Sequence, residues 1–171
     1  IGHGTATFRE HNIEKSLSDC DILSAPIQTY CKDGVFMEFS ISAPANFYNQ
    51  SNPIYPCDIV PPSAKVSCAR SQVQVMRLRF NMGIKSTTDA CIRSGEKDII
   101  YHCIDATGYY AAQNSGGDSQ RIIKSCGEIS DNKYRSQCLA AAAGELVFQN
   151  TAGWQKNVGK ICQSLKGEER N

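Results

Sequence analysis

The sequence lacks any long apolar run and any excess of charge of one sign. No stretch approaches the roughly 18 apolar residues that a membrane-spanning helix needs, so we predict no membrane insertion. Lys and Arg number 18 and Asp and Glu number 17, so no overall electrostatic field indicates a nucleic acid partner. The length of 171 residues suits one compact domain or one short array of repeats.

The sequence also lacks the short motifs of common catalytic and cofactor sites. It has no C-x-x-C-H, no H-E-x-x-H, no G-x-S-x-G, no P-loop and no G-x-G-x-x-G. The closely spaced C-x2-C pairs of many zinc sites do not occur either. We therefore predict no cofactor and no catalytic residue, and we favour a binding protein over an enzyme.

What the sequence does have is nine cysteines in a regular order. Pairs with ten or eleven residues between their members recur, and the leading cysteines follow at steps of 37, 34, 35 and 36 residues. A fixed period of this size is typical of stacked supersecondary units. Paired cysteines favour disulfides in an extracellular or periplasmic protein, with metal ligation in the cytosol as the alternative. The expected disulfides are Cys20–Cys31, Cys57–Cys68, Cys91–Cys103 and Cys126–Cys138.

Each period has the pattern of a helical hairpin. In the fourth, Asp118 can cap a first helix, a turn follows at Ser130, and apolar residues at helical spacing continue to Phe148. The fold class that we predict is all-α, an α-solenoid of about four and a half hairpins with one disulfide per repeat, in a single domain over residues 1–171. Units one to five lie near residues 12–45, 53–83, 86–115, 118–150 and 152–171.

Local signals predict where individual helices begin. Asn12 should cap the first helix of unit one, and Ser86 or Thr87 the first helix of unit three. Residues 1–9, with Gly2-His3-Gly4, are expected to form a flexible entry. Prolines around Cys57 predict that the first helix of unit two is short or 3₁₀. The second segment of unit two alternates like a strand, but its position in the repeat favours a helix.

Small residues recur three places after the second cysteine of each pair, and we expect them to let the two helices of a hairpin approach closely. They are Gly34, Ser71, Ala106 and Ala141.

The last unit carries one cysteine, Cys162, whose expected partner would fall beyond Asn171. We therefore predict that Cys162 is unpaired and that residues 166–171 form a turn after the helix. Further repeats or another subunit should cover this end, because a terminal unit has no neighbour of its own. The first residue, Ile1, suits a mature chain or a fragment of a longer one.

One stretch is rich in basic residues. Between Asp58 and Asp89 there is no acidic residue and there are five basic ones. This stretch is either a solvated face balanced by acids on neighbouring units or a patch for an acidic partner or glycan. With nearby tyrosines it gives the candidate binding residues Arg70, Arg77, Arg79, Tyr109 and Tyr110.

The histidines offer one alternative site. His3 and His11 could approach each other and bind a metal ion with Glu10 or Glu14, although solvated side chains are the simpler interpretation. The alternative function is then a metal- or cofactor-dependent enzyme or carrier. A structural subunit of a larger assembly is a further alternative.

Helix pairs of 34 to 37 residues with a cysteine on both helices resemble the secreted Sel-like repeat proteins. Those proteins are tetratricopeptide-like solenoids with a disulfide in each hairpin. Here the cysteines are more widely spaced, and the usual alanine-glycine signatures are missing. The resemblance implies a scaffold that binds a protein or peptide partner rather than one that catalyses a reaction.

Overall fold

The computed structural model describes residues 1–44 and 46–168, without the side chains of residues 166–168. The described residues form α-helices and one π-helical turn, Val75–Arg79, and contain no β-strand, which confirms the all-α prediction. The helices are α1 Gly2–Phe8, α2 Ile13–Asp21, α3 Ala25–Ser42, α4 Pro62–Gln74, α5 Ile84–Arg93, α6 Lys97–Ser115, α7 Ser119–Cys126, α8 Asn132–Phe148 and α9 Trp154–Glu168.

Side-chain caps start three of these helices. The carboxylates of Asp118 and Asp131 and the amide oxygen of Asn12 each accept a hydrogen bond from a backbone N–H in the first turn. Ser86 and Thr87 do not cap α5, so that prediction is wrong. The helix begins earlier, directly after Gly83, because Ile84 is buried in its first turn.

The first nine residues are not a flexible entry, because α1 packs against α3. A Cβ atom on Gly2 would lie 2.0 Å from the carbonyl oxygen of Cys31, and one on Gly34 would lie 3.0 Å from the Cα of Gly2. Only glycine at these positions lets the two backbones meet. Gly2, one of the two glycines that suggested flexibility in the sequence, therefore serves close packing.

Unit two departs from the hairpin pattern. Successive hydrogen-bonded turns surround Cys57, so the predicted short or 3₁₀ helix is wrong there. Pro56, Pro61 and Pro62 lack the N–H groups that a helix would use, and the Tyr55–Pro56 peptide bond is cis. The second segment is helical as predicted, since α4 runs into the π-helical turn.

The second helices of units one to four pack in chain order: α3 contacts α4, α4 contacts α6, and α6 contacts α8. The shorter helices α2, α5 and α7 each contact the second helix of their own unit. At the ends of this series, α1 contacts α3 and α9 contacts α8. Two apolar clusters lie between the helices, one around Phe39 and Met76 and the other around Ile122 and Leu146.

Glycine permits close contact again between α6 and α8. A Cβ atom on Gly108 would lie 2.3 Å from the carbonyl oxygen of Cys138 and 2.8 Å from the Cβ of Ala141. Ala141 thus lies at a contact between helices of neighbouring units, and Gly34 lies at the contact with α1. The expectation that they bring the two helices of one hairpin together is wrong for these two residues.

The structure contains the four disulfides that the cysteine spacing predicts. Their Cα–Cα distances are 5.6, 5.4, 6.0 and 5.8 Å in chain order, inside the usual range. All eight of these cysteines are buried, and each disulfide joins two cysteines of the same unit.

Cys162 is a free, exposed cysteine, as predicted. Helix α9 continues to Glu168, so the turn predicted from Lys166 is wrong as far as the structure describes the chain. The rest of that predicted turn, residues 169–171, lies outside the described residues. Among the described helices, none combines the length and the hydropathy needed to cross a membrane.

Candidate functional site

A groove runs between α6 and α8 where the side chains of α8 are small. Its main cavity has a volume of about 480 Å³. Ala140, Ala141 and Gly144 form the α8 side of the cavity, and small side chains there leave room between the larger residues. The residues that line it from α6 and from the two ends are Tyr101, Asp105, Tyr109, Gln137, Glu145 and Phe148. We call this surface the α6–α8 groove.

The groove continues into a second cavity of about 410 Å³, which shares Tyr101 and Gln137 with the first. Tyr134 lines this extension, and the ammonium group of Lys133 lies 5.5 Å from the centre of its ring. The two cavities together give an elongated surface, a shape suited to an extended segment of another chain rather than to one compact molecule.

Aromatic side chains in the groove face solvent. Tyr101 is 55% exposed and Phe148 is 86% exposed. Burial raises the pKa of Tyr109, and the nearby carboxylate of Asp105 adds to that rise, so its hydroxyl stays protonated at neutral pH. Exposed aromatic residues around a concave surface are typical of protein interaction sites.

The main cavity carries negative charge without a cation among its lining residues. Asp105 accepts a hydrogen bond of 2.9 Å from the side-chain amide of Gln137. Glu145 accepts one of 2.9 Å from Gln113 and one of 2.5 Å from Gln149. Amide partners orient a carboxylate but leave its charge in place. The main cavity is therefore complementary to a cationic group, whereas Lys97, Asp98 and Lys133 line its extension.

The structure does not bring the predicted basic residues together. Arg70 is exposed on α4. It lies near Tyr109 and His102 on one side of α6, where its positive charge acts to lower the pKa of both side chains. Arg77 lies on the other side, with its guanidinium 5.1 Å from the centre of the Tyr110 ring. Tyr109 and Tyr110 are adjacent, so on a helix they point about 100° apart. Only Tyr109 of the predicted set lines the α6–α8 groove.

Arg79 is directed away from the predicted patch and onto the end of α3. Its guanidinium donates hydrogen bonds of 3.0, 2.7 and 3.0 Å to the carbonyl oxygens of Ser40, Ile41 and Ala43. The guanidinium also lies 5.2 Å from the centre of the Tyr48 ring. These carbonyls have no partner within the helix, so Arg79 completes the C-terminus of α3. Its role here is structural.

The N-terminal histidines meet at a carboxylate that the sequence analysis did not single out. Nδ1 of His3 lies 2.5 Å from one oxygen of Glu38, and Nε2 of His11 lies 3.6 Å from the other. Hydrogen bonds from Ser42 and then from His3 hold the pKa of Glu38 below its ordinary value. Glu38 stands one helical turn after Gly34, on the face of α3 that receives α1, and this spacing was the available signal.

No group of three or more His, Cys, Asp or Glu side chains among the described residues is arranged to hold a metal ion. His3, His11 and Glu38 therefore join α1 and the following turn to α3, through a hydrogen bond between His3 and Glu38 and a contact between His11 and Glu38. Glu10 and Glu14, the predicted carboxylate partners, are both exposed.

Most groove residues were not predicted from the sequence, although one pattern could have indicated them. Tyr101, Asp105 and Tyr109 recur every four residues, which places them along one face of α6. The α8 side carries mostly small residues, which have no comparable signature.

Comparisons of the chain with protein families, with curated proteins and with solved structures each find no match.

Proposed function

We propose that this chain is a disulfide-stapled helical-repeat scaffold that binds an extended, basic segment of a protein or peptide partner in the α6–α8 groove. The observation that carries the proposal is the groove itself, with exposed aromatic residues beside two carboxylates and no lining cation in its main cavity. Aromatic faces attract Lys and Arg side chains as well as apolar ones, and the carboxylates add charge complementarity.

The architecture that supports this proposal is an α-solenoid of about four and a half units, similar to the secreted Sel-like repeat proteins. Its support is the cysteine period together with second helices that pack in chain order. Four buried disulfides suit an oxidising compartment, so we place the protein outside the cell or in the periplasm.

Selection from a random peptide library displayed on phage tests the proposed ligand chemistry. We expect the selected peptides to be rich in Lys and Arg. Replacing both groove carboxylates (Asp105→Asn with Glu145→Gln) should weaken these peptides about tenfold, since two opposing charges are lost. The matched control is Glu14→Gln, which removes an exposed carboxylate on α2. Peptides without a basic bias, or equal weakening in the control, would contradict the proposal.

The aromatic part of the groove has its own matched pair of variants. Phe148→Ala should weaken the selected peptides about fivefold, because an exposed ring that packs on the ligand is removed. Phe8→Ala removes a ring that is also exposed, by 75%, but lies on α1 away from the groove. It should leave the affinity unchanged. Equal effects of the two substitutions would show that the peptides bind elsewhere.

The metal- or cofactor-dependent enzyme or carrier and the structural subunit stay predictions. No contact among the described residues favours either of them over the scaffold.

A further inference from the structure

A second cavity, separate from the α6–α8 groove, lies where units two, three and four meet. Its volume is about 290 Å³, and it shares no lining residue with the groove. The π-helical turn contributes Arg77, α5 contributes Ile84, α6 contributes Tyr110, and α7 contributes Arg121 and Lys124. We call it the Arg77 pocket.

Arg77 is held in place at the wall of this pocket. One of its terminal nitrogens donates a hydrogen bond to the carbonyl oxygen of Met82, and its guanidinium lies against the ring of Tyr110. Its Nε is buried and has no hydrogen-bond partner among the described residues. An arginine that is already fixed loses little conformational entropy when its guanidinium group binds an anion.

The backbone around Arg77 is unusual. Val75–Arg79 is a π-helical turn, a rare conformation that occurs frequently at functional sites. Arg77 and Arg79 both lie within this turn. Because they are two residues apart on a helix, their side chains point in nearly opposite directions, so Arg79 binds the end of α3 while Arg77 lines the pocket.

The charge of the pocket is positive. Arg77, Arg121 and Lys124 line it, against the single carboxylate of Glu128. Arg121 is 73% exposed and lies 3.8 Å from Asp118, a weak contact that leaves its guanidinium available. Buried Ile84 and Ala111 complete the wall beside these cations. Cations at an apolar wall interact with an anion more strongly than they would in open water.

We propose that the Arg77 pocket binds a small molecule through a carboxylate, sulfate or phosphate group. Guanidinium groups recognise all three through paired hydrogen bonds, and the volume suits a small ligand rather than a folded partner. This site goes beyond the proposed peptide-binding groove and does not depend on it.

Nuclear magnetic resonance titration of the whole 171-residue protein tests the pocket. The probes are sodium acetate, sodium sulfate and sodium phosphate, each added at constant ionic strength so that general screening does not change. We expect saturable shifts of backbone amides around Arg77, Arg121 and Lys124 with at least one probe. The probe that binds most tightly identifies the chemical group. No saturable shift with any of the three would overturn the proposal.

Exposed lysines and arginines provide the variants, because Arg77 also supports the fold. The double variant Arg121→Gln with Lys124→Gln should weaken the best probe at least about fivefold. The control, Lys15→Gln with Lys156→Gln, removes the same charge from exposed positions on α2 and α9. It should bind as the unaltered protein does. Equal weakening in both variants would show that the anions respond only to net charge, which would also overturn the proposal.

Discussion

Units two and four bring their bridged cysteines to nearly the same separation, with Cα–Cα distances of 5.4 and 5.8 Å, but by different means. Unit four is a regular hairpin, in which Cys126 ends α7 and Cys138 lies within α8. Unit two has turns around Cys57 where a first helix would stand. The comparison teaches that a bridged pair of cysteines can form at the start of a packed second helix without a regular first helix before it.

The two units are also held by different hydrogen bonds. In unit four, the caps Asp118 and Asp131 satisfy N–H groups at the starts of both helices. In unit two, side chains from the second helix and its π-helical turn bind backbone carbonyl oxygens that are distant in the chain. Gln72 donates a bond of 2.8 Å to the carbonyl oxygen of Pro53, and Arg79 binds the end of α3. Unit two therefore replaces local helical bonds with bonds between distant parts of the chain.

Removing a disulfide should have the largest effect, and a larger one in unit two. Each closed loop is worth about 3 kcal/mol of stability in the chain-entropy treatment. Cys126→Ala with Cys138→Ala should cost about that amount, whereas the same change at Cys57 and Cys68 should cost more. The reason is that the turns around Cys57 have no helix to keep them ordered once the bridge is lost.

Urea unfolding followed by circular dichroism measures both disulfide variants, with Cys162→Ser as a common background that prevents exchange with the free thiol. A smaller loss in unit two than in unit four would contradict the view that this disulfide replaces a helix.

Gly108 tests the contact between the regular hairpins, units three and four. A Cβ atom there would lie 2.3 Å from a backbone oxygen of α8, so Gly108→Ala should push units three and four apart and cost about 2 to 3 kcal/mol. Gly144→Ala is the matched control, because a Cβ there meets nothing within 4 Å. It should stabilise α8 by about 0.5 to 1 kcal/mol through helix propensity. Thermal unfolding of both variants gives the comparison, and a neutral Gly108→Ala would show that the helices adjust freely.

Arg79 tests the irregular unit two. Arg79→Ala should cost about 2 kcal/mol, because three carbonyl oxygens at the end of α3 lose a charged donor. Arg79→Lys should recover only part of the loss, since an ammonium group cannot reach all three oxygens as a planar guanidinium does. Arg70→Ala, at an exposed position on α4, should change stability by less than about 0.5 kcal/mol. Similar losses at the two positions in denaturant unfolding would refute the structural role of Arg79.

The same two units show what the sequence could predict. Cysteine spacing indicated the period and the pairing, and short-range signals indicated the caps at Asn12 and Asp118, because these features depend on residues close together in the chain. The partners of Arg79 lie 36 to 39 residues away, and nothing local indicates them. The groove depends on how α6 and α8 are rotated against each other, which periodicity alone does not determine.

The start of the second helix should give the smallest difference between the units. Asp131 accepts backbone hydrogen bonds of 2.8 and 3.2 Å from Lys133 and Tyr134, whereas α4 follows Pro61 and has no side-chain cap. Asp131→Ala should therefore cost about 1 kcal/mol, and Asp131→Asn should keep most of that stability because Asn caps about as well as Asp. Pro61→Ala should cost less than Asp131→Ala, since no capping bond is lost. Thermal unfolding of the three variants tests this, and a loss at Pro61 as large as that at Asp131 would mean that unit two depends on its helix start as much as unit four does.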